Sequence, residues 1–285
     1  MSVVTGDFAS AVMEASRYSR LGTFGVEIDF DMSQPLDERS QVAFRDIFYK
    51  EGLLLFRGQD LTMEDQRRVV EYLGPVLPGS GEGYLSPEDK VLGTVGLDYH
   101  SDLCATPMPL DVISLHALDV VEGKSQTKFA SGLRAYGELP EGLRRTLDDA
   151  DVNMVQTLAD KTRLDYDVAS DALNLVRPFI MHHRITGKPL IIASESSAAR
   201  VEGLSRDESD AVLREVFTYL YDPSNVLHHT WRNGDFIVWD NLSIQHGRPP
   251  LDPSYPRKMQ RVTSGRKTLR EQVPHYNLSS IFGED

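Results

Sequence analysis

Cysteine and long apolar runs are both scarce in this chain. Cys104 is the single cysteine among 285 residues, so no disulfide can form within the chain. No run of about 18 consecutive apolar residues is present, so no transmembrane helix is expected. The first 20 residues carry acidic side chains and no continuous apolar segment, unlike a secretory signal peptide. These absences predict a soluble, cytoplasmic protein.

Basic residues are also few, at 30 Lys and Arg against 43 Asp and Glu, which gives a net charge of -13. This excess of negative charge argues against nucleic acid or an anionic membrane as the partner, because both bind positive surfaces. The negative net charge does not exclude a small anionic substrate, because a pocket can contain local arginines. No internal repeat or low-complexity linker divides the chain. We therefore expect one domain over residues 1–285, with a peripheral arm at 1–20 and a peripheral tail at 267–285.

Short segments with strand-like patterns predominate. Strands are predicted at 24–30, 53–56, 91–102, 112–118, 127–130, 179–181, 189–193, 226–231, 235–239 and 259–264. Helices are predicted at 37–50, 62–73, 132–139, 140–150 and 207–221. Many short strands with a few helices favour a mainly β fold with peripheral helices, built on a jelly-roll core.

Local signals add detail to this prediction. In the helix over 37–50 the predicted apolar face consists of Val42, Phe44, Ile47 and Phe48. The strands at 226–231 and 235–239 flank the turn Arg232-Asn233-Gly234, which is typical of a hairpin. Residues 78–90, rich in Gly, Pro and Ser, predict a loop that covers a pocket, and the polar residues 160–176 predict a long insertion.

One short motif organises the functional prediction. His100 and Asp102 lie two residues apart, so on a strand both side chains would point to the same face. His246 is the best candidate for a distant partner. Two imidazoles and one carboxylate form the facial triad of non-haem Fe(II) oxygenases, which leaves three coordination positions open. Without the partner, His-x-Asp is more typical of a polar strand end that contacts water.

The spacing around this motif resembles that of the taurine / 2,4-dichlorophenoxyacetate dioxygenase family. Thr127 lies 27 residues after His100, and Arg257 and Arg261 lie 11 and 15 residues after His246. The segments Leu53–Gln59, Phe129-Ala130, Thr186-Gly187-Lys188 and Trp239-Asp240-Asn241 also match the family, in the same order. The resemblance covers roughly residues 20–266.

The resemblance implies a double-stranded β-helix (jelly-roll) core and an enzyme that uses Fe(II), 2-oxoglutarate and O2. It implies that His100, Asp102 and His246 bind the iron and form the catalytic centre. Related enzymes commonly form dimers or tetramers, so a homo-oligomer is expected.

Two further positions are implied for 2-oxoglutarate and one for the substrate. Thr127 and Arg257 correspond to the residues that grip the far carboxylate of 2-oxoglutarate. Arg261 corresponds to the residue that binds an acidic group of the substrate. A guanidinium matches a carboxylate bidentately, and residues i and i+4 of a strand share a face. The alternative is that both arginines flank the strand in solvent, which is the usual environment of arginine.

The substrate region departs from the taurine enzymes. Tyr99 replaces the tryptophan that often precedes the first ligand, and Gly96 stands where a taurine-binding asparagine is found. After the β-hairpin predicted around Thr186-Gly187-Lys188, the segment 194–198, which includes Ser197, replaces a bulky aromatic. These changes remove bulk and polar contacts, so we predict a differently shaped pocket for a small organic anion, with an aryloxyalkanoate-like carboxylate preferred over taurine.

Several functions are compatible with these residues. The leading hypothesis is hydroxylation of an aliphatic C–H, with succinate and CO2 as co-products. A hydroxylase or desaturase that tailors a secondary metabolite is the alternative within the family. A zinc-dependent hydrolase could use the same three ligands, although no acidic residue adjoins His246 as a general base. A non-catalytic ligand-binding relative is the third class.

Overall fold

The fold consists of short strands arranged in several sheets, with helices packed against them. The computed structural model describes residues 8–13, 18–77, 81–88, 93–156, 167–168 and 172–276. The helices are α1 Phe8–Met13, α2 Glu38–Glu51, α3 Met63–Glu71, α4 Gly132–Glu138, α5 Glu141–Asp148, α6 Arg206–Leu220 and α7 Leu269–Gln272. The strands are β1 Tyr18–Arg20, β2 Val26–Ile28, β3 Leu53–Phe56, β4 Glu82–Leu85, β5 Leu97–His100, β6 Val112–Val120, β7 Gln126–Ser131, β8 Asp151–Val155, β9 Asn174–Pro178, β10 Ile180–His182, β11 Pro189–Ile191, β12 Ala198–Val201, β13 Val226–Thr230, β14 Phe236–Asp240, β15 Ile244–Arg248 and β16 Arg257–Ser264.

Two sheets form the core. The larger has the strand order β1-β2-β3-β14-β6-β16-β4, and the smaller has the order β13-β7-β15-β5. Neighbouring strands are antiparallel except for β2 and β3. Leu55 and Ile113 of the larger sheet share one apolar cluster with Phe129 and Ile244 of the smaller sheet. The predicted jelly-roll core is confirmed.

The run Leu53–Phe56 is apolar throughout because both faces of the larger sheet are covered. Leu53 and Leu55 belong to the cluster between the sheets. Leu54 and Phe56 point the other way and pack with Phe44 of α2. A strand buried on both faces cannot show the alternation of a half-buried strand, so only its length and flanking residues identify it.

Local capping fixes the helices that cover the larger sheet. Asp37 accepts a hydrogen bond from the backbone of Ser40 at the start of α2, and Gly52 ends that helix with a φ of 75°. Thr62 and Asp65 form a reciprocal capping box at the start of α3, as their spacing predicts.

A second layer covers the outer face of the smaller sheet. It contains α4, α5 and α6, the three-stranded sheet β12-β8-β9 and the hairpin β10-β11. The hairpin turns through Thr186-Gly187-Lys188 as predicted, with Gly187 at a φ of 68°. The side-chain amide of Gln245 in β15 donates hydrogen bonds to the carbonyls of Ile192 and Ala193, which ties this layer to the sheet.

Some predicted elements differ from the structure. Val42 is 50% exposed, although Phe44, Ile47 and Phe48 of the same helix are buried, so the apolar face is narrower than predicted. Part of the predicted loop at 78–90 forms β4, which pairs with β16 at the sheet edge. Its residues 78–80, 89 and 90 lie outside the described residues.

Two connections are also corrected. The strands β13 and β14 do not form a hairpin, because β13 pairs with β7 in the smaller sheet and β14 pairs with β3 and β6 in the larger. The turn at 232–234 therefore crosses between the sheets. The strand predicted over 91–102 ends at His100, and Asp102 lies in the turn that follows.

Both termini contribute contacts within the described residues. Phe8 of α1 is fully buried against Phe44 and Phe56, although it falls in the predicted arm. In the predicted tail, the side chain of Gln272 accepts a hydrogen bond from Met108 N and donates one to Met108 O. Most of the predicted insertion at 160–176 lies outside the described residues. No helix in the described ranges is long and apolar enough to span a bilayer.

The two sides of α2 allow a direct test of the packing. We expect Phe44→Ala to lower the free energy of unfolding by about 3–5 kcal/mol, because it opens a cavity in a fully buried aromatic cluster. Val42→Ala serves as the control and should change the same quantity by less than about 0.5 kcal/mol. Denaturant unfolding measures both, and equal losses would contradict the orientation of α2.

Candidate active site

Two histidines and one aspartate converge at one end of the smaller sheet. His100, Asp102 and His246 each offer one ligand atom, and these atoms all lie within 4.8 Å of one another. Asp102 Oδ1 lies 3.3 Å from His100 Nε2 and 3.8 Å from His246 Nε2. His246 pairs directly with His100 across β15 and β5. Sheet pairing thus brings the distant histidine to the His-x-Asp motif, as predicted.

The position of Asp102 depends on a side chain from another segment. Asp102 follows the end of β5, and Leu103 has a φ of 60°. Asn241 accepts a hydrogen bond from Asp102 N at 2.8 Å and donates one to Asp102 O at 3.1 Å. Because the amide of Asn241 satisfies both backbone groups, it holds the turn that carries the carboxylate.

The two imidazoles are held differently. His100 Nδ1 lies 2.7 Å from the carbonyl oxygen of Asp98. A proton on Nδ1 satisfies that carbonyl and leaves the lone pair of Nε2 facing Asp102. His246 packs edge-to-face on Trp239, with 5.0 Å between the ring centroids. Strand pairing and an aromatic neighbour therefore fix the second ring.

The electrostatics of the trio follow from burial and mutual charge. Burial opposes ionisation of Asp102, but the hydrogen bond with His100 and the charge of Arg261 outweigh it and hold the pKa of Asp102 well below its usual range. Burial and the neighbouring His100 lower the pKa of His246 to about 3, so this ring is neutral at pH 7. Burial also opposes a charge on His100, yet the hydrogen bond to Asp102 raises the pKa of His100.

These three side chains fit a divalent cation. A carboxylate held ionised and a neutral imidazole are ready ligands. When His100 is protonated, its Nε2 proton is directed at Asp102 Oδ1, and a cation at this point would replace that proton. Two imidazole nitrogens and one carboxylate oxygen suit Fe(II) and leave room for further ligands.

Arg261 and Arg257 lie on the inward face of β16, on either side of Met259, which packs in the cluster between the sheets. Arg261 Nη2 donates to Asp102 Oδ2 at 2.7 Å, so this guanidinium contacts the oxygen of Asp102 that faces away from His100. Arg257 is 6% exposed, and its Nε donates to Ser125 Oγ at 2.9 Å. The alternative that both arginines flank the strand in solvent is wrong.

Arg257 carries a buried positive charge. Burial and the neighbouring charge of Arg248 lower the pKa of Arg257 to about 10, so it stays protonated at neutral pH. Among the described residues, no carboxylate lies within ion-pair distance of Arg257. A buried cation without an opposite charge is costly, so the pocket is suited to an anion.

Thr127 lies on β7, two residues after Ser125, which accepts the hydrogen bond from Arg257. It is buried, and its hydroxyl oxygen accepts a hydrogen bond from Trp231 Nε1 at 2.9 Å. The hydroxyl proton can still be donated to an acceptor in the pocket.

The predicted substrate residues other than Arg261 contact other parts of the protein. The Tyr99 ring lies between Tyr221, which stacks at 4.5 Å, and Lys128 Nζ, 4.4 Å from its centroid. The hydroxyl of Ser197 is buried 2.7 Å from that of Ser194. A Cβ at Gly96 would meet only Pro250 among its nearest atoms. The structure does not bring these three residues together with the triad, and their substrate contacts stay predictions.

The group of converging ligands does not include Cys104, His116 or the adjacent pairs His182-His183 and His228-His229. His116 is buried, and its Nε2 lies 3.1 Å from the carbonyl oxygen of Gln59. In each adjacent pair one ring is exposed and the other is buried beside an aspartate: His183 with Asp240 and His229 with Asp235. Burial raises the pKa of the Cys104 thiol.

Two buried residues that follow His246, Gly247 and Arg248, were not predicted to contribute to the site. A Cβ at Gly247, directly after His246, would lie 2.6 Å from Leu97 O and 3.0 Å from Asp98 C. Only glycine lets β5 approach β15 this closely. Arg248, two residues after His246, is also buried, and its Nη2 donates to Gly93 O. Their position directly after a candidate ligand is the sequence feature that could have identified them.

A separate cavity of about 370 Å³ lies outside the triad. Its charged lining is largely paired, since Arg184 contacts Asp111 and His183 lies 3.2 Å from Asp240. None of the predicted site residues lines it.

A jelly roll with two imidazoles and a carboxylate at one point defines a class, the non-haem iron oxygenases. The sequence profile of the family described as "Taurine catabolism dioxygenase TauD, TfdA family" matches residues 16–263. The chain therefore belongs to the TauD/TfdA family and is a dioxygenase, an oxidoreductase.

Individual relatives agree with this assignment. The (S)-phenoxypropionate/alpha-ketoglutarate-dioxygenase of Sphingobium herbicidovorans is 25% identical over 264 residues, 83% of this chain and 90% of the relative. Pentalenolactone F synthase of Streptomyces arenae is 25% identical over 183 residues, 59% of this chain and 61% of the relative. The crystal structure of AAD-2 in complex with Mn(II) and N-oxalylglycine has the same fold, with a TM-score of 0.73 and 22% identity, over 88% of this chain and 97% of that chain.

The close approach at Gly247 yields a prediction about metal binding. We expect Gly247→Ala to weaken Mn(II) affinity by at least about 10-fold, because the added methyl group pushes on the β5 backbone directly before His100. Titration of the apoprotein with Mn(II) measures this change.

Gly137→Ala is the matched control. Gly137 lies in α4 with no atom within 4 Å of a Cβ. Alanine there should leave Mn(II) affinity unchanged and stabilise the fold by about 0.5–1 kcal/mol. Wild-type Mn(II) affinity in Gly247→Ala would contradict the role given to this glycine.

Proposed function

We propose that this dioxygenase uses Fe(II), 2-oxoglutarate and O2 to hydroxylate an aliphatic C–H of a small organic anion, with succinate and CO2 as co-products. One observation carries the proposal: in a TauD/TfdA-family jelly roll, ligand atoms of His100, Asp102 and His246 lie within 4.8 Å of one another. That arrangement supports iron chemistry more strongly than any single motif does.

In this proposal the triad binds Fe(II). The bound iron, with 2-oxoglutarate and O2, supplies the oxidising chemistry that inserts one oxygen atom into the substrate and the other into succinate. The protein provides the ligands and their orientation. Asn241 holds the turn of Asp102, and Asp98 orients His100, so the ligand atoms are arranged before the metal binds.

Arg257 and Thr127 would bind the far carboxylate of 2-oxoglutarate. Arg257 is buried, charged and held by Ser125, and its remaining N–H groups suit a bidentate contact with a carboxylate. The carboxylate would also offset the buried positive charge. Exclusion of water from this end strengthens the interaction, since charges attract more strongly at low dielectric.

Arg261 would bind the acidic group of the substrate while it holds Asp102. One of its nitrogens contacts Asp102 Oδ2, and its side chain is 24% exposed. A guanidinium has five N–H donors, so a single contact leaves others for a substrate carboxylate. This geometry would place the acidic group of the substrate beside the metal, and the similarity to the (S)-phenoxypropionate dioxygenase supports a carboxylate of the aryloxyalkanoate kind.

Tailoring of a secondary metabolite by hydroxylation or desaturation is the alternative. It is favoured by the similarity to pentalenolactone F synthase, and it needs the same ligands and cosubstrate. A zinc hydrolase has less support, because the carboxylate nearest His246 among the described ion pairs is Asp102, which the metal itself would use.

The first test is a coupled assay with Fe(II), 2-oxoglutarate, O2 and a panel of anions that includes aryloxyalkanoates and taurine. Succinate should form in step with the loss of one carboxylate substrate. His100→Ala and Asp102→Ala should lower this turnover by more than about 100-fold, because even outer partners of metal ligands contribute about 10- to 100-fold.

His228→Ala is the control, since this exposed histidine lies on the smaller sheet away from the triad face. It should retain wild-type turnover. Product formation that needs no 2-oxoglutarate, or persists in Asp102→Ala, would contradict the proposed chemistry.

Substitutions of Arg257 and Arg261 should raise the KM of different compounds. We expect Arg257→Lys to raise the KM for 2-oxoglutarate by about 10-fold or more, because lysine keeps the charge but loses the bidentate contact. Arg261→Lys should instead raise the KM for the organic anion. Steady-state kinetics with each compound varied in turn measures both, and a shift in the same KM for both variants would refute the separate roles.

A further inference from the structure

Residues next to the triad on β5 and β15 point to the opposite face of the smaller sheet. Tyr99 precedes His100, and Gln245 precedes His246. Because neighbours on a strand alternate between faces, a ligand on the inner face places its neighbour on the outer face. The contacts agree: His246 packs on Trp239 between the sheets, whereas Gln245 hydrogen-bonds to the outer layer at Ala193.

One side chain of the outer layer contacts both of these neighbours. Tyr221, at the C-terminal end of α6, stacks on Tyr99 with 4.5 Å between ring centroids and 14° between ring planes. Its hydroxyl donates a hydrogen bond to Gln245 Oε1 at 2.9 Å and accepts one from Glu195 N at 3.2 Å. Tyr221 therefore links the two strands that carry the histidines.

The stack continues on both sides. Lys128 Nζ lies 4.4 Å from the centroid of the Tyr99 ring, opposite Tyr221, and Lys128 follows Thr127 on β7. Phe217, one helical turn before Tyr221, stacks on its ring with a centroid distance of 5.8 Å. Tyr221 and Phe217 thus support β5 and β15 from α6, and Lys128 links the Tyr99 ring to the neighbouring strand β7.

The strand that carries His100 needs such support. It has four residues and lies at the edge of the smaller sheet, where β15 is its one neighbour among the described strands. That pairing is irregular between His246 and Arg248. Short edge strands with few ladder hydrogen bonds open readily. Ser196 Oγ adds a hydrogen bond to Tyr99 O, so the outer layer also holds the backbone of β5.

We propose that Tyr221 is a positioning residue for the metal centre, which fixes His100 relative to His246 through Tyr99 and Gln245. This inference rests on the proposed function, because it takes the two histidines as metal ligands. Tyr221 contacts neither the triad nor the arginines in any described interaction, so it acts through the strands and not on the reacting atoms.

The experiment compares three substitutions in α6 and the residue that follows it. Tyr221→Leu removes both the stacking and the hydrogen bonds, whereas Tyr221→Phe keeps the ring and removes only the hydroxyl. Tyr219→Leu is the matched control, since Tyr219 packs on the outer apolar cluster and has no described contact with β5 or β15. Each apoprotein is titrated with Co(II), and the visible absorption spectrum of the bound metal is recorded.

The three variants should differ in how strongly they affect Co(II) binding. Tyr221→Leu should weaken Co(II) affinity by about 10-fold and change the Co(II) spectrum, the effect typical of losing an outer partner of a metal ligand. Tyr221→Phe should give a smaller change in the same direction, and Tyr219→Leu should stay within about twofold. In turnover, Tyr221→Leu should lower kcat more than it raises the KM for 2-oxoglutarate.

The outcomes separate this inference from the proposed function. If Tyr221→Leu folds and binds Co(II) with wild-type affinity and spectrum, the inference is overturned. If Tyr221→Leu does not fold, Tyr221→Phe decides, and an unchanged spectrum and affinity in that variant also overturns it. His100→Ala tests the metal centre on which both proposals rest: if it leaves Co(II) binding intact, the metal centre is not at the triad and both proposals fail.

Discussion

The pairing of β15 with β5 is the interaction on which the site depends. It places His246 opposite His100, and every other feature of the centre is arranged around that pair. The pairing requires Gly247, because any Cβ there would collide with the β5 backbone. It also requires support from outside the sheet, because β5 is short and lies at an edge. A catalytic centre that needs ligands from two strands thus takes its precision from packing on the far side of those strands.

Positive charge is concentrated around the triad, although the chain as a whole is acidic. The chain carries a net charge of -13, yet Arg248 lies on β15, which also carries His246, and Arg257 and Arg261 lie on β16. Surface charge is screened over about 8 Å at physiological ionic strength, so these local guanidiniums decide which small ions the pocket holds. Arg261 is balanced by Asp102, while Arg257 has Ser125 as its described partner. The pocket therefore keeps a positive charge that favours an anion.

Much of the fold and the convergence of His100, Asp102 and His246 could be predicted from the sequence, because the signals are local or spaced at fixed distances. Capping residues marked α2 and α3, and the apolar run marked β3. The missed features are non-local. The polar strand β4 has no apolar pattern, and only its pairing with β16 defines it. Asp102 lies beyond its strand because Asn241 satisfies the turn, and nothing in either local sequence shows that contact.

The spacing of the two inward arginines has a physical origin in one strand. Arg257 and Arg261 are separated by Met259, whose side chain fills the space between the sheets. Four residues of strand span about 13 Å, so the pleat of β16, and not a loop, sets the distance between the two guanidinium attachment points. One arginine reaches Ser125 at the start of β7, and the other reaches Asp102. Since a strand inside a sheet moves little, the two anions proposed for these arginines would be held at a fixed separation, whereas arginines on loops would let that separation vary.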